Sequence, residues 1–295
     1  MSIRIPLLLP LASALVYAAA AIMIKVAISR GANSWAVAFL SNLSMGLLAL
    51  PLLFFGHEAW RPEAVPWALL GGCLFFAGQI GTFRSLASGD VSIATPALAS
   101  KLVFVALMSL ALPGNRPDPD LWLAVGLTMA GVFLLHRGPC HHSSRPLATA
   151  AWALFAAVSF AATDIITQTA VPRTGFTLFM PVMFGTLAAL SFPLLLPQVL
   201  RTAGRPVEAG AWGWGASGIA LLAVQSAGVA AAIGLFGDAT GVNVVYSSRG
   251  LWSLLLLALV ARRLGVSEGA LDRKTFATRL LGSTLILAAV VIVLL

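Results

Sequence analysis

Charged residues are scarce in this chain of 295 residues. They make up 9% of the sequence, whereas hydrophobic residues make up 59%, and the mean hydropathy is +0.96. A water-soluble domain cannot keep so few charges on its surface and stay dispersed. The deficit excludes a soluble globular protein and indicates a polytopic membrane protein, in which most side chains meet lipid or other helices.

Residue patterns that carry enzyme chemistry are also missing. The sequence has no phosphate-binding loop, no nucleophile elbow and no paired-carboxylate motif, so we expect neither an enzyme nor a cofactor. Its 2 cysteines are too few for a disulfide framework. A polar cluster stands in the middle of the chain at His136, Cys140, His141 and His142. Its spacing is not that of a standard zinc site, so we expect no metal there.

Acidic residues are fewer than basic ones, and the net charge is +8. The cations are dispersed between apolar segments and form no basic domain, which argues against nucleic acid as a partner. Of the 18 Lys and Arg residues, twelve fall at one set of segment ends and four at the other. The positive-inside rule then places the richer side in the cytoplasm. We therefore expect a protein of the cell inner membrane with both termini on the outer side.

Ten apolar segments are long enough to cross a bilayer as tilted helices. They lie near residues 5–26, 33–55, 66–87, 92–112, 120–136, 147–170, 175–198, 210–236, 240–261 and 278–295. Their apolarity is continuous and does not alternate, which indicates helices. A polar linker divides them into halves of five helices, 1–146 and 147–295. Because five is odd, the sequence predicts an all-α fold of two inverted repeats.

A cation stands inside an apolar segment of each half. Lys101 and Arg249 are 148 residues apart, as are Asp90 and Asp238 before them. Each cation lies about nine residues into its segment, near the bilayer midplane. A charge at that depth costs a few kcal/mol and faces the bundle interior or a water-filled cavity. We predict that Lys101 and Arg249 bind an anionic group of a substrate; the alternative is that at least one is held in a structural salt bridge.

Other polar side chains within the segments complete the predicted substrate site. They are Asn42, Gln79, Ser100, Gln225, Asn243, Tyr246, Ser248 and Trp252. The serines have the alternative of bonding their own helix backbone, and the glutamines that of joining helices. Asp164 is the one carboxylate well inside a segment and is therefore the candidate for proton coupling. Its structural alternative is an ion pair with Lys25 or Arg84.

Two local motifs support a resemblance that covers the whole chain. The first segment ends with Ile24–Gly31, and Gly89–Pro96 opens the fourth. With ten segments in two five-helix halves, they resemble the EamA-type transporters of the drug/metabolite transporter superfamily. That family commonly carries Gly-Glu after its fourth and ninth helices. Here Pro113–Arg116 replaces the first of these, and Leu264–Glu268 only approximates the second.

The resemblance implies secondary transport by alternating access, often the export of metabolites or drugs. Sugar-phosphate translocators of the superfamily bind phosphate with basic residues of the fourth and ninth helices, and Lys101 and Arg249 are similar in helix and depth. We therefore expect an exporter or exchanger of a small anionic or zwitterionic metabolite. It would work in a lipid bilayer in an oligomeric state that the sequence leaves open, a monomer being compatible. Two alternatives remain: a flippase for a phosphorylated lipid carrier, and a non-transporting membrane scaffold or sensor.

Overall fold

The computed structural model of the chain is all-helical. It describes residues 5–55, 62–88, 91–112, 118–135, 146–202, 204, 206–264 and 273–295. No strand occurs among these residues, which confirms the predicted all-α class. Asp90 and the polar cluster of the central linker (His136, Cys140, His141 and His142) lie outside the described residues.

The two halves have the same order of helices. After a 3-10 turn at Ile5–Leu7, the first half contains α1 Leu8–Ser29, α2 Ser34–Ala49, α3 Leu52–Phe55, α4 Ala64–Ser88, α5 Val91–Ala99, α6 Lys101–Ser109 and α7 Pro119–Leu135. The second half contains α8 Pro146–Thr174, α9 Phe176–Leu194, α10 Leu196–Arg201, α11 Ala211–Phe236, α12 Ala239–Tyr246, α13 Arg249–Leu264 and α14 Arg273–Leu294. Each half thus has a short helix after its second long one and a pair of helices in place of its fourth.

Helices occupy each of the ten predicted segments. Six spans are long and apolar enough to cross a membrane: Leu8–Ser29, Ser34–Phe55, Val65–Ser85, Pro146–Thr174, Phe176–Leu194 and Ala211–Phe236. Shorter apolar helices at Pro96–Ser109, Pro119–Leu135 and Leu280–Leu294 fall in the fourth, fifth and tenth segments. The chain is therefore a multi-pass membrane protein. The number of crossings and the inversion of the second half stay predictions.

The fourth and ninth segments are interrupted at equivalent places. α5 ends at Ala99 and α6 begins at Lys101, while α12 ends at Tyr246 and α13 begins at Arg249. Each predicted cation is therefore the first residue of the second piece of its segment. The start of a helix carries partial positive charge on its backbone N–H groups, which adds to the positive potential around both side chains. Discontinuous helices of this kind form ligand sites in transporters built from repeats.

The halves pack through equivalent pairs of helices. α4 lies along α8, and α1 lies along α11, so each pair joins the first helix of one half to the third long helix of the other. α2 packs on α9 and α7 packs on α14, pairs that join equivalent helices. Two similar halves related by a pseudo-two-fold axis would produce this pattern.

Glycine allows the long helices to approach closely. A Cβ atom added at Gly78 of α4 would lie 2.7 Å from the ring of Phe160 in α8. One added at Gly218 of α11 would lie 2.8 Å from Ile24 in α1. Lipid provides no hydrophobic drive between helices, so close van der Waals packing of this kind contributes to holding the halves together.

The contact between α7 and α14 depends on a pair of glycines, and we expect Gly131→Ala to destabilise the protein. Its Cβ would lie 2.6 Å from Ile286 and 2.7 Å from the carbonyl oxygen of Gly282. Overpacking of this kind costs about 1–3 kcal/mol, so the thermal midpoint in detergent should fall. Gly126→Ala on the same helix is the control, because nothing lies within 4 Å of that Cβ. Equal midpoints by circular dichroism would contradict the close contact.

Candidate functional site

An ion pair lies in the bundle interior between α6 and α8. Lys101 Nζ is 2.7 Å from Asp164 Oδ2, and Asn243 of α12 donates its Nδ2–H to the same oxygen at 2.7 Å. Asp164 is only 8% exposed. We call Lys101, Asp164 and Asn243 the acid cluster. The structural salt bridge considered for one of the cations is thus present, but the partner named for Asp164 is wrong: it is Lys101, not Lys25 or Arg84.

The start of α12 is fixed in several ways. Gly237 ends α11 with φ 69°, a left-handed conformation that favours glycine. Asp238 then caps α12 by accepting a hydrogen bond from Gly241 N at 2.7 Å. Gln168 of α8 accepts a hydrogen bond from Ala239 N at 3.1 Å. These bonds hold α12 against α8 and set the depth at which its polar residues meet the bundle interior.

Arg249 is surrounded by tyrosine rings. Its Cζ lies 4.5 Å from the ring centre of Tyr246 and 5.0 Å from that of Tyr17, and the two rings meet edge to face. Tyr246 is held in place by donating its hydroxyl hydrogen to Gln225 Oε1 at 2.6 Å. We call Arg249, Tyr17, Tyr246 and Gln225 the arginine cluster. A ring face stabilises the guanidinium but does not neutralise it, so the charge stays available to an anion.

The two clusters differ in charge balance. Asp164 neutralises Lys101, whereas no carboxylate of the described residues comes within 4.0 Å of the Arg249 guanidinium. Asp164 nevertheless interacts electrostatically with Arg249. Among the described residues, two cations and one carboxylate leave the combined site with a net charge of +1. Low-dielectric walls strengthen the attraction of such a charge for an anion.

Helix α12 joins the acid cluster to the arginine cluster. Asn243 belongs to the first and Tyr246 to the second. Residues three apart lie on one face of a helix, one turn from each other, so the clusters are neighbours along α12. Of the predicted site residues, the structure brings together Lys101, Asp164, Gln225, Asn243, Tyr246 and Arg249.

Asn42 and Gln79 form a separate group. Their side-chain amides exchange two hydrogen bonds of 2.9 Å, and Asn42 also donates to Ser191 Oγ at 2.9 Å. Both Asn42 amide hydrogens are thus used within the protein, and the bonds join α2, α4 and α9. Bonding of this kind fits the alternative role of joining helices. A role for Asn42 and Gln79 in substrate binding stays a prediction.

The two serines that precede the cations are bonded differently. Ser100 Oγ donates to Ala97 O of its own segment at 2.6 Å. Ser248 Oγ is buried and has no protein partner among the described residues, and the same holds for Trp252 Nε1. A buried donor without a partner is costly. Ser248 directly precedes Arg249 in the chain, and Trp252 follows it by three residues.

Two aromatic residues beside the cations were not predicted from the sequence. Tyr17 lies beside Arg249, and the ring centre of Phe160 lies 5.9 Å from Lys101 Nζ, one turn before Asp164 on α8. The sequence could have drawn attention to Tyr17, because the chain has only 2 tyrosines and the other is the predicted site residue Tyr246. Phe160 is one of 16 phenylalanines and carries no such signal.

Removing one partner of the buried ion pair should destabilise the protein more than removing both charges. Lys101→Met leaves the Asp164 carboxylate without its cation, which costs about 3–5 kcal/mol. The double variant Lys101→Met/Asp164→Asn should recover most of that loss. The free energy of unfolding in increasing dodecyl sulfate, followed by circular dichroism, measures both. A double variant no more stable than the single one would show that the pair does not form.

Comparisons with known proteins agree with this architecture. Residues 4–137 match the EamA-like transporter family. Among 29 solved chains that match in structure, one crystal structure has a TM-score of 0.76 at 18% sequence identity, and the match covers 97% of each chain. At that identity the likeness shows the shared fold alone. No curated protein matches the sequence.

Proposed function

The protein belongs to the drug/metabolite transporter superfamily, in which the EamA-like match of residues 4–137 places it, and from that premise we propose that it carries a small anionic or zwitterionic metabolite by alternating access. The family and the apolar helices identify a multi-pass membrane transporter. The members of this family are transporters and not enzymes. The proposal concerns the substrate, the mechanism and the residues that bind.

The observation that supports the proposal is the environment of the Arg249 guanidinium. Its guanidinium lies inside the bundle against two tyrosine rings, with no described carboxylate in salt-bridge range. Burying a cation inside the bundle costs free energy. Such residues are therefore rare, and those that occur are paired or functional. The planar guanidinium offers several N–H donors in a fixed geometry that suits a carboxylate or phosphate. Ser248 and Trp252 add buried donors nearby in the chain.

Both clusters combine residues of the two halves, which suits alternating access. Lys101 of the first half meets Asp164 and Asn243 of the second. Arg249 of the second half meets Tyr17 of the first. If the halves rock against each other, these contacts must change, and a ligand bound among them is exposed first to one side and then to the other.

We also propose the cytoplasmic membrane as the location, with both chain termini on the outer side. The support is the count of Lys and Arg, twelve on the predicted inner side against four on the other. Fusion of alkaline phosphatase to the C-terminus tests the orientation. High phosphatase activity is expected, and an inactive fusion that gains activity at an inner loop would contradict it.

Purified protein in liposomes should show counterflow of a small anion, and Arg249→Ala should slow it at least about tenfold. Loss of hydrogen bonds from a charged donor costs about 1.5–3 kcal/mol, which corresponds to that factor. Arg249→Lys should retain only part of the exchange, because lysine keeps the charge but not the planar fork. Labelled gluconate, which has one carboxylate, and the zwitterion alanine are suitable probes.

Arg201→Ala is the matched control for this experiment. Arg201 ends α10 and is exposed, so its loss should leave counterflow unchanged. Exchange that is as fast in Arg249→Ala as in the control would contradict the assigned site. Uptake that does not respond to unlabelled probe inside the liposome would contradict a carrier mechanism.

A further inference from the structure

The two cations occupy equivalent places but face different groups. α6 packs on α8 and α13 packs on α1, which are equivalent pairs of helices. α8 presents the Asp164 carboxylate to Lys101 at 2.7 Å, whereas α1 presents the ring of Tyr17 to Arg249, 5.0 Å away. α1 contains no acidic residue at all. The carboxylate that α8 presents therefore has no counterpart on α1.

This asymmetry determines how much negative charge the site can accept. In the described part of the chain, the charged groups that act on Asp164 are Lys101, which is bonded to it, and Arg249, which interacts with it over a longer distance. Asn243 is its neutral partner. A group with one negative charge balances the excess of +1 that these residues leave. A doubly charged group would leave a surplus negative charge in a low-dielectric interior, beside a carboxylate that repels it.

From the proposed function, on which this step rests, we propose that the site takes a group with a single negative charge and that Asp164 excludes doubly charged groups. A carboxylate or a phosphodiester belongs to the first class, and a phosphate monoester to the second. Asp164 then determines specificity, because its ion pair with Lys101 prevents that cation from binding the ligand. Tyr17 is its uncharged counterpart and leaves Arg249 open.

Substitution of Asp164 tests its proposed role in specificity, with two probes that share a sulfate group and differ in charge. Sulfate carries two negative charges and methyl sulfate carries one. Asp164→Asn keeps the hydrogen bond to Asn243 possible, frees Lys101 and raises the site charge to +2. The ratio of the Kd for sulfate to the Kd for methyl sulfate should fall at least about tenfold, the equivalent of ~1.4 kcal/mol. Isothermal titration calorimetry at low ionic strength measures both constants.

The matched control is Asp238→Asn, the same chemical change outside the site. Asp238 caps α12 through Gly241 N at 2.7 Å, and asparagine caps helices equally well. This variant should bind both probes as the unaltered protein does. A ratio that changes equally in both variants would show that overall charge, and not Asp164, sets the preference, and would overturn the proposal.

The substitution Tyr17→Asp, in the other half, also tests whether the charge of the site determines anion binding. It sets a second carboxylate beside Arg249 and brings the site charge to zero. Methyl sulfate should therefore bind at least about tenfold more weakly to Tyr17→Asp than to Tyr17→Asn, the neutral variant of similar size. Equal binding by the two variants would overturn the proposal even if Asp164→Asn fails to fold.

A different set of binding results would refute the proposed function itself. In that case neither probe binds the unaltered protein, or Arg249→Ala binds methyl sulfate as tightly as the unaltered protein does. If methyl sulfate binds and Arg249→Ala abolishes binding, while Asp164→Asn leaves the ratio of the two Kd values unchanged, the anion site stands and only the role of Asp164 is refuted.

Discussion

A charged side chain inside a helical bundle must be given compensation, because neither lipid nor packed protein replaces the water it has lost. In this protein the requirement is met in two ways. Lys101 is met by a carboxylate and Arg249 by two ring faces. The first solution neutralises the charge and the second does not. The groups that surround the two cations come from α8, α12 and α1.

The packing of the halves makes that compensation possible. α8 can bring Asp164 close to α6 only because it also lies close along α4, where Gly78 admits the ring of Phe160. α12 reaches the same carboxylate because Gly237 turns the chain sharply after α11 and Asp238 caps the new helix. Small residues thus act at a distance from the charges, yet they decide which side chains the charges meet.

Much of this fold follows from sequence, and the site follows only in part. Apolar length identifies the helices, and the spacing of 148 residues identifies Lys101 and Arg249 as equivalent positions. The partner of Asp164 does not follow, because Lys101 is 63 residues away and the contact depends on how α6 packs against α8. Sequence shows which residues need a partner, whereas tertiary packing decides which partner each receives.

The inequality of the two cations also bears on how a ligand can lie in a nearly symmetric fold. Two equivalent and uncompensated cations would bind an anion equally well in two opposite orientations. Because Asp164 pairs with Lys101, the positive charge that no described carboxylate balances lies on Arg249. Asn243 and Tyr246, one turn apart on α12, bond to Asp164 and Gln225 respectively. A single carboxylate in one half thereby makes the two equivalent cations unequal.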